Sequence, residues 1–510
     1  MAETIARARV RLVATLFRLS PPGTHAVATV IFLFALWLGW SLRLVSWGGN
    51  PLHPDEALYA YWARLAASGR DLALLSVPVD KPPLFIYTIA LAFRLWGPTV
   101  AAARLPSILA SLLSLPILFA LARALYGRSI AFLALLLYAV SPFAISFAPT
   151  AFTDPLLILW GLVSCLLTVR GRWLWAGLAL GLAVATKQQG LLFAPLALGL
   201  GRAALRRAGH SEGRCWRLYP LLASEGALPL PIGVSLRRSF TRDMGTFIAG
   251  FLPIFAVLVW WDSLRWRVWP SFWERGWIAY GGLRLTAPSD WGERARNWVG
   301  LLGYLVTSPW LTGALLLSIV LLLGMAWASR RRLDVAARAD LVVLGYGGGF
   351  LLLHGLLSFQ PWDRYLLPLA PLASLLLARG LLFPLEWLYG SHRRLYLAGL
   401  CLFLWATLAG PARNAALTRL PVGGDHGAYR GLEQAVAWTQ AELPMDTVLY
   451  HQDLGWHLAY YLFDGGPTVR WYADAPALAE DVAQHDHPAY VIFSQRTSAD
   501  DVETTLASHD

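Results

Sequence analysis

The stretch AVATVIFLFALWLGWSLRLVSW, residues 26–47, is the first of the apolar runs that decide the fold of this chain. At a rise of about 1.5 Å per residue, a helix of this length crosses the hydrocarbon core of a bilayer. The 510-residue chain is 57% hydrophobic and 14% charged, whereas soluble domains are about a quarter charged. These features predict an all-α polytopic membrane protein that interacts with the lipid bilayer.

Run length and hydropathy predict about eleven transmembrane helices. We place them at 26–47, 100–125, 129–148, 154–169, 173–186, 190–204, 245–264, 308–328, 341–359, 364–382 and 395–408. The apolar run 83–96 is ambiguous, because it is short for a span. If it spanned, Asp154 would move to the cytoplasmic side. If it lies flat on the membrane, every basic cluster falls on one side, and we therefore prefer the flat arrangement.

This topology divides the chain into three parts. Residues 1–25 form a cytoplasmic N-terminus, and 26–411 form a transmembrane catalytic domain. That domain carries outer loops at 48–99 and 265–297 and a cytoplasmic loop at 202–243. Residues 412–510 are predicted to form a small α/β domain with strands at 447–451, 469–472 and 490–494 and helices at 431–442 and 475–484. An odd number of spans puts this domain outside the cytoplasm.

The charge distribution excludes one obvious function class. The formal net charge is +11, which by itself would suggest nucleic acid as a partner. However, the basic residues cluster in short loops between apolar runs, as the positive-inside rule requires, while the segment after residue 411 is acidic. The three cysteines have no disulfide or zinc-site spacing. We therefore expect no nucleic-acid partner, and a location in the plasma or inner membrane.

Carboxylates at the predicted outer membrane face are candidates for catalysis. Asp55 and Glu56 follow the first helix in the sequence HPDE, and Asp154 precedes Pro155 at the start of another helix. Asp55 suits a general base that removes the proton of an acceptor hydroxyl, and its alternative role is a helix N-cap. Glu56 and Asp154 suit orientation of the acceptor or ligation of a divalent ion. Their alternatives are a first-turn acid and a second N-cap.

Cationic residues on the same predicted face are candidates for binding a lipid phosphate. Lys81 stands between Asp80 and two prolines, and Lys187 interrupts an otherwise apolar stretch. Arg364 and Tyr365 could bind phosphate with a planar guanidinium and a hydroxyl. The alternatives are a snorkelling Lys81 and an interfacial anchor at 364–365. Ionisable groups at the edge of an apolar core are costly, which favours a functional explanation.

Taken together, these residues resemble the GT-C glycosyltransferases. The similarity is to the bacterial branch that includes protein O-mannosyltransferases and lipid A aminoarabinose transferases. The shared pattern is spread along most of the chain. It comprises Asp55-Glu56 with Tyr59, Lys81-Pro82-Pro83-Leu84, Arg104-Leu105-Pro106, Ala151-Phe152-Thr153-Asp154, Gly177 to Lys187, and Arg364-Tyr365 with Pro368 and Pro371. Gln188 departs from the pattern, where a glycine is common, and loop 202–243 is long.

The resemblance implies a polyprenyl-phosphate-linked sugar donor used on the extracytoplasmic face and an acceptor that carries a hydroxyl. It implies Asp55 as the catalytic base and Lys81 near the donor phosphate, with a flat helix after Lys-Pro-Pro. The expected reaction is a single displacement with inversion. No cofactor is required, because a lipid monophosphate can leave without one, and a divalent metal ion near Glu56 and Asp154 is compatible with the residues. A competing hypothesis is a transporter or flippase for a lipid-linked sugar, in which the same cations bind and Asp55 is a cap or proton carrier.

Overall fold

The computed structural model describes residues 23–205, 240–279, 284–331, 333–420, 428–484 and 488–494, with residues 502, 504 and 507. Most of the predicted cytoplasmic segments 1–25 and 202–243 lie outside these residues. The helices of the membrane body, in chain order, are α1 (Gly23–Leu44), α2 (Pro54–Ser68), α3 (Leu84–Trp96), α4 (Val100–Tyr126), α5 (Arg128–Ala139), α6 (Pro142–Phe147), α7 (Asp154–Val169), α8 (Trp173–Thr186), α9 (Phe193–Leu205), α10 (Phe240–Ser263), α11 (Phe272–Ala279), α12 (Trp291–Val306), α13 (Pro309–Ala328), α14 (Val335–Leu356), α15 (Ala370–Leu382) and α16 (Gly390–Ala416).

Each of the eleven predicted spans contains a helix. Seven helices are long and apolar enough to cross a membrane among the described residues. They are Ala26–Leu44, Val100–Tyr126, Phe240–Ser263, Pro309–Ala328, Val335–Leu356, Asp363–Leu385 and Gly390–Ala416. The remaining predicted spans correspond to shorter helices that pack inside the body. The predicted fold class, a mostly helical polytopic membrane protein, is confirmed.

One predicted span is interrupted, which corrects the single helix expected at 129–148. Helix α5 ends at Ala139, and α6 begins at Pro142 because proline cannot donate to the preceding turn. Arg43, fully buried in α1, donates hydrogen bonds to the carbonyls of Ala139 (2.7 Å) and Tyr138 (2.9 Å). A cation inside a membrane span is thereby satisfied by carbonyl groups that the break leaves free.

Small residues let the central helices approach closely. A Cβ on Gly177 of α8 would lie 1.8 Å from the carbonyl oxygen of Phe247 in α10, so this crossing requires glycine. The span Asp363–Leu385 is the innermost, with 89% of its apolar window buried by other helices. It begins as a 3-10 helix, Asp363–Leu369, because Pro368 and Pro371 break the regular hydrogen bonding. This central element brings Arg364 and Tyr365 to one end of the body.

Two short helices form most of the first outer loop. Helix α2 begins after His53 and ends at Gly69, which has the left-handed φ of 77°. Helix α3 follows Pro82-Pro83 and has only 13 residues, about 20 Å of length, against about 30 Å of hydrocarbon. It packs against α2, while Leu91, Leu95 and Trp96 are exposed. At this length the flat orientation stays the prediction that the charge pattern makes.

The C-terminal part is an α/β unit. Its helices are α17 (Leu432–Glu442), α18 (Gly455–Tyr461) and α19 (Ala475–Ala483), and its strands are β1 (Val448–His451), β2 (Thr468–Trp471) and β3 (Ala489–Val491). The strands pair in parallel in the order β2-β1-β3. The predicted boundary at 411/412 is too early, because α16 continues to Ala416. Helix α18 was not predicted, and loop 265–297 contains α11 and the first turns of α12.

Candidate active site

The first turn of α2 positions two adjacent carboxylates. His53 is the N-cap residue: its Nδ1 accepts a hydrogen bond from the Asp55 amide (3.2 Å), and its own amide donates to Glu56 Oε2 (2.8 Å). This capping box leaves the Asp55 side chain free of any capping duty. The alternative role of Asp55 as the helix N-cap is therefore wrong. Thr153 likewise occupies the N-cap position of α7, so the corresponding alternative for Asp154 is also wrong.

Asp55 forms an ion pair with Arg364. The distance from Asp55 Oδ2 to Arg364 Nη1 is 2.6 Å, and 33% of the Asp55 side chain remains exposed. The Arg364 guanidinium is buried and lies 4.8 Å from the ring centroid of Phe152. Burial alone would raise the pKa of Asp55, but the charges of Arg364, His53 and Lys81 together hold it below its usual value. Asp55 is thus ionised at neutral pH and able to accept a proton.

Glu56 has a different environment from its neighbour. Its carboxylate binds Arg104 in a bidentate manner, with Oε1–Nε at 3.0 Å and Oε2–Nη2 at 2.9 Å. The Ala151 amide also donates to Oε1 (2.6 Å). Only 4% of the Glu56 side chain is exposed. Although burial would raise the pKa of Glu56, Arg104 and the backbone donors hold it below its usual value. Glu56 therefore fastens the start of α2 to α4 and to the loop before α7.

A third ion pair joins the starts of two inner segments. Lys187 follows the end of α8, and its Nζ lies 2.8 Å from Asp154 Oδ1, with both side chains almost completely buried. The Lys187 ammonium also lies 4.9 Å from the ring centroid of Tyr365. The charges of Arg364 and Lys81 reach this ammonium as well. The structure therefore gathers all seven predicted site residues at one end of the body.

The second outer loop lies over this end of the body. Lys81 is buried and pairs with Asp80, while the Gln188 side-chain amide donates to the Asp80 carbonyl (2.9 Å). A Cβ on Gly276 of α11 would stand 3.2 Å from that same carbonyl oxygen. Beside it, the buried Nε of Arg275 has no hydrogen-bond acceptor among the described residues. Helix α11 of loop 265–297 thus approaches the Asp80–Lys81 segment, and the Arg275 guanidinium lies 5.2 Å from the ring centroid of Trp269 in the same loop.

The arrangement does not fit the metal ion that was considered for Glu56 and Asp154. Both oxygens of Glu56 already accept hydrogen bonds from Arg104 and from backbone amides, and Asp154 is paired with Lys187. A divalent ion would have to displace these donors. Across the described parts of the chain, no group of three or more His, Cys, Asp or Glu side chains could hold a metal ion.

Three residues near the site were not assigned a role from the sequence. Arg104 was noted only as part of a motif, although a buried arginine in an apolar helix is a signal for a carboxylate partner. Arg275 lies in loop 265–297, and the approach of that loop to Asp80 has no sequence signature. His53 precedes Pro54 and, unlike serine or aspartate, is not a residue type that commonly marks an N-cap.

Comparison with known proteins adds independent findings. Residues 80–211, which include Lys81, Asp154 and Lys187, match the family model described as dolichyl-phosphate-mannose-protein mannosyltransferase. No curated protein sequence matches the chain. The fold is similar to that of ArnT from Cupriavidus metallidurans bound to undecaprenyl phosphate, at 16% identity and a TM-score of 0.53, covering 92% of this chain and 90% of that chain.

A second similar structure is the archaeal oligosaccharyltransferase AglB from Archaeoglobus fulgidus, in complex with an inhibitory peptide and a dolichol-phosphate. The identity is 12% and the TM-score 0.54, and the match covers 88% of this chain and 65% of that chain. At these identities the likeness concerns the fold. Both structures contain a lipid phosphate.

Proposed function

Taking the chain as a member of the GT-C glycosyltransferase superfamily, in its ArnT-like branch, we propose that it transfers a sugar from a polyprenyl-phosphate donor to a hydroxyl acceptor. Transfer takes place at the extracytoplasmic membrane face and inverts the anomeric carbon. The acceptor is a protein, lipid or envelope glycan that offers a hydroxyl group. The ArnT and AglB structures with lipid phosphates support the class of donor.

One observation carries this proposal: a partly exposed, ionised carboxylate stands beside a group of buried cations. Asp55 is the only one of the three predicted carboxylates with a substantially exposed side chain, at 33% against 4% for Glu56 and 1% for Asp154. Its nearest cation is Arg364, and the charge of Lys81 also reaches it. A base next to phosphate-binding groups is the arrangement that hydroxyl attack on a sugar phosphate requires.

The roles of the site residues follow from these contacts. Asp55 takes the proton of the acceptor hydroxyl, whose oxygen forms the new bond to the anomeric carbon. The bond from that carbon to the phosphate oxygen breaks, and its electron pair leaves with the lipid phosphate. Lys81, Lys187 and Arg364 stabilise the developing phosphate charge through charge-assisted hydrogen bonds, with Tyr365 alongside. Asp154 holds Lys187 in place, and Glu56 holds the first turn of α2.

Because Asp55 is paired with Arg364, donor binding should also change how strongly Asp55 accepts a proton. A carboxylate bound to a guanidinium is a weaker proton acceptor than a free one. An incoming phosphate competes for the same guanidinium. Donor binding therefore draws Arg364 toward the phosphate and releases Asp55 for the acceptor. In this order of events the base stays weak until the donor is bound.

Turnover by purified protein tests the proposal. The protein in lipid nanodiscs is incubated with polyprenyl-phosphate sugars of several types and with envelope extract, and the released polyprenyl phosphate is measured. Release that depends on Asp55 supports a transferase. A transporter would instead move intact donor across proteoliposomes and release no polyprenyl phosphate with any sugar, which would overturn the proposal.

Orientation is the second part of the proposal and has its own test. In a cysteine-free background, Ser68→Cys in the first outer loop and Ser329→Cys at the end of α13 both lie on exposed positions. A membrane-impermeant maleimide applied to intact cells should label Ser68→Cys alone. Both sites should become labelled after permeabilisation. Labelling of Ser329→Cys in intact cells would reverse the proposed topology.

A further inference from the structure

Helix α18 of the C-terminal unit lies directly against α2, the helix that carries Asp55. Trp456 of α18 has its ring centroid 6.3 Å from that of Tyr61 and 6.4 Å from that of Trp62. Further along, Arg64 Nη1 donates to the Tyr460 carbonyl (2.6 Å) and pairs with Asp464. The C-terminal unit thus packs along the second half of the base-bearing helix.

The same short helix also holds both ends of the first outer loop. His457 Nε2 lies 2.8 Å from the Leu52 carbonyl oxygen, and because a carbonyl only accepts, the imidazole donates. The Tyr460 hydroxyl donates to the Pro98 carbonyl (2.8 Å). Leu52 and Pro98 mark the beginning and the end of the loop that contains α2 and α3. One helix of another domain therefore closes this loop.

The hydrogen bond to the Leu52 carbonyl is the one polar contact that the described residues give His457. His457 is completely buried, its ring stacks 4.6 Å from that of Tyr429, and its Nδ1 has no hydrogen-bond partner among the described residues. The carbonyl that it binds lies three residues before Asp55, and the intervening residues are the capping His53 and Pro54. Pro54 has a fixed φ and the capping box holds His53, so little backbone freedom lies between Leu52 and Asp55.

We propose that α18 is part of the catalytic apparatus and that His457 is a positioning residue, which orients Asp55 toward the acceptor hydroxyl by holding the Leu52 carbonyl. This inference rests on the proposed role of Asp55 as the base. Buried donors far in sequence from a site affect rate because misplacement of a base by about 1 Å costs up to about 10²-fold. The C-terminal unit is then required for turnover.

Three full-length variants test the proposal. His457→Ala removes the donor, His457→Gln keeps a side-chain N–H at a similar reach, and Arg470→Ala breaks an ion pair to Asp481 elsewhere in the same unit. We expect His457→Ala to lower kcat by about tenfold to 10²-fold with an unchanged donor KM. His457→Gln should recover most of the loss, and Arg470→Ala should behave as wild type.

Hydrogen exchange supplies a readout that does not depend on activity. Amides in residues 50–58 should exchange faster in His457→Ala than in wild type, while those of α19 should not change. Wild-type kcat in His457→Ala, or equal losses in all three variants, would overturn the positioning role. If wild type releases no polyprenyl phosphate, the proposed function fails on its own. In that case unchanged exchange at 50–58 in His457→Ala would still overturn the contact as a positioning device.

Discussion

The two ends of the membrane body each hold an arginine–carboxylate pair, and the pairs differ in exposure and in neighbours. At one end Arg364 binds Asp55, whose side chain is 33% exposed, with Lys81 and Lys187 close by. At the other end Arg379 binds Asp340 through Nη2 and Nε, and the Asp340 side chain is 2% exposed. Asp340 is separated by about 21 Å of helix from the turn of α14 that packs near Tyr365.

This difference in exposure and neighbours suggests a binding role for the Asp55–Arg364 pair and a structural role for the Asp340–Arg379 pair. The Asp340–Arg379 pair satisfies its own charges, both side chains are buried, and the Arg379 guanidinium lies 5.1 Å from the ring centroid of Tyr126. The Asp55 end instead concentrates several cations around one accessible carboxylate. Both are ion pairs in an apolar body, so cost of burial alone does not identify the functional one. Accessibility and the excess of nearby cations are what distinguish the Asp55 pair.

Replacing Asp55 should give the largest effect on turnover. Asp55→Asn keeps the size of the side chain, and the capping box of α2 uses His53 and Glu56, so folding should not change. The amide accepts no proton at neutral pH, and the rate should fall by about 10²-fold or more. Turnover and thermal stability are measured on one preparation. Near-normal turnover in folded Asp55→Asn would remove Asp55 as the base and leave Glu56 or Asp154 as the next candidate.

Loss of Lys81 should give a smaller effect that is confined to the donor. Lys81→Ala removes a buried ammonium beside the proposed phosphate position, and donor use should weaken by about tenfold while the acceptor KM stays the same. Separate titrations of donor and acceptor measure this. Arg430→Ala, at an exposed position of the C-terminal unit, serves as the control. An unchanged donor dependence in Lys81→Ala would exclude it from phosphate binding.

Much of this candidate site could be predicted from the sequence, because its residues interrupt apolar runs. Lys81, Lys187 and Arg364 stand out for that reason, and the run lengths place all of them at one membrane face. Which cation pairs with which carboxylate could not be predicted from the sequence. The sequence suggested that Glu56 orients the acceptor or ligates a divalent ion, and only the bidentate contact from Arg104, 48 residues away, shows that its carboxylate is engaged.

The C-terminal unit contains elements that the sequence pattern predicts and one helix that it does not. Strands β1 to β3 were predicted within a few residues, because short β-branched and aromatic runs have a clear period. Helix α18 was missed: it has only seven residues, and its helical state depends on packing against α2. Its contact with the base-bearing helix depends on residues about 400 positions apart, such as His457 and Leu52, and no local pattern reports such a contact.

The pH dependence of the rate should sharpen the contrast between Asp55 and an ordinary carboxylate. Burial raises the pKa of Asp55, but the charges of Arg364, His53 and Lys81 together lower it by more. The net pKa of Asp55 therefore lies below the usual value. The base is active when deprotonated, so the rate should be retained as pH falls and be lost only below the usual carboxylate range. Arg364→Gln should move this acid limb to higher pH, and Lys81→Gln should move it less. An acid limb that is the same in all three proteins would assign it to another group.

The smallest effect on turnover is expected at the opposite end of the body. Asp340→Asn leaves the buried Arg379 without its carboxylate, which should lower the free energy of unfolding by about 3–5 kcal/mol. The protein that remains folded should nevertheless turn over at the wild-type rate, because the pair lies about 20 Å of helix from the site. The double variant Asp340→Leu/Arg379→Met removes both charges and should recover most of the stability, since two apolar side chains need no partner. Thermal unfolding and turnover per folded molecule, measured on both variants, separate the two properties. A loss of turnover per folded molecule in Asp340→Asn that the double variant does not restore would mean that this pair also acts on the reaction, and the contrast between the two ends would fail.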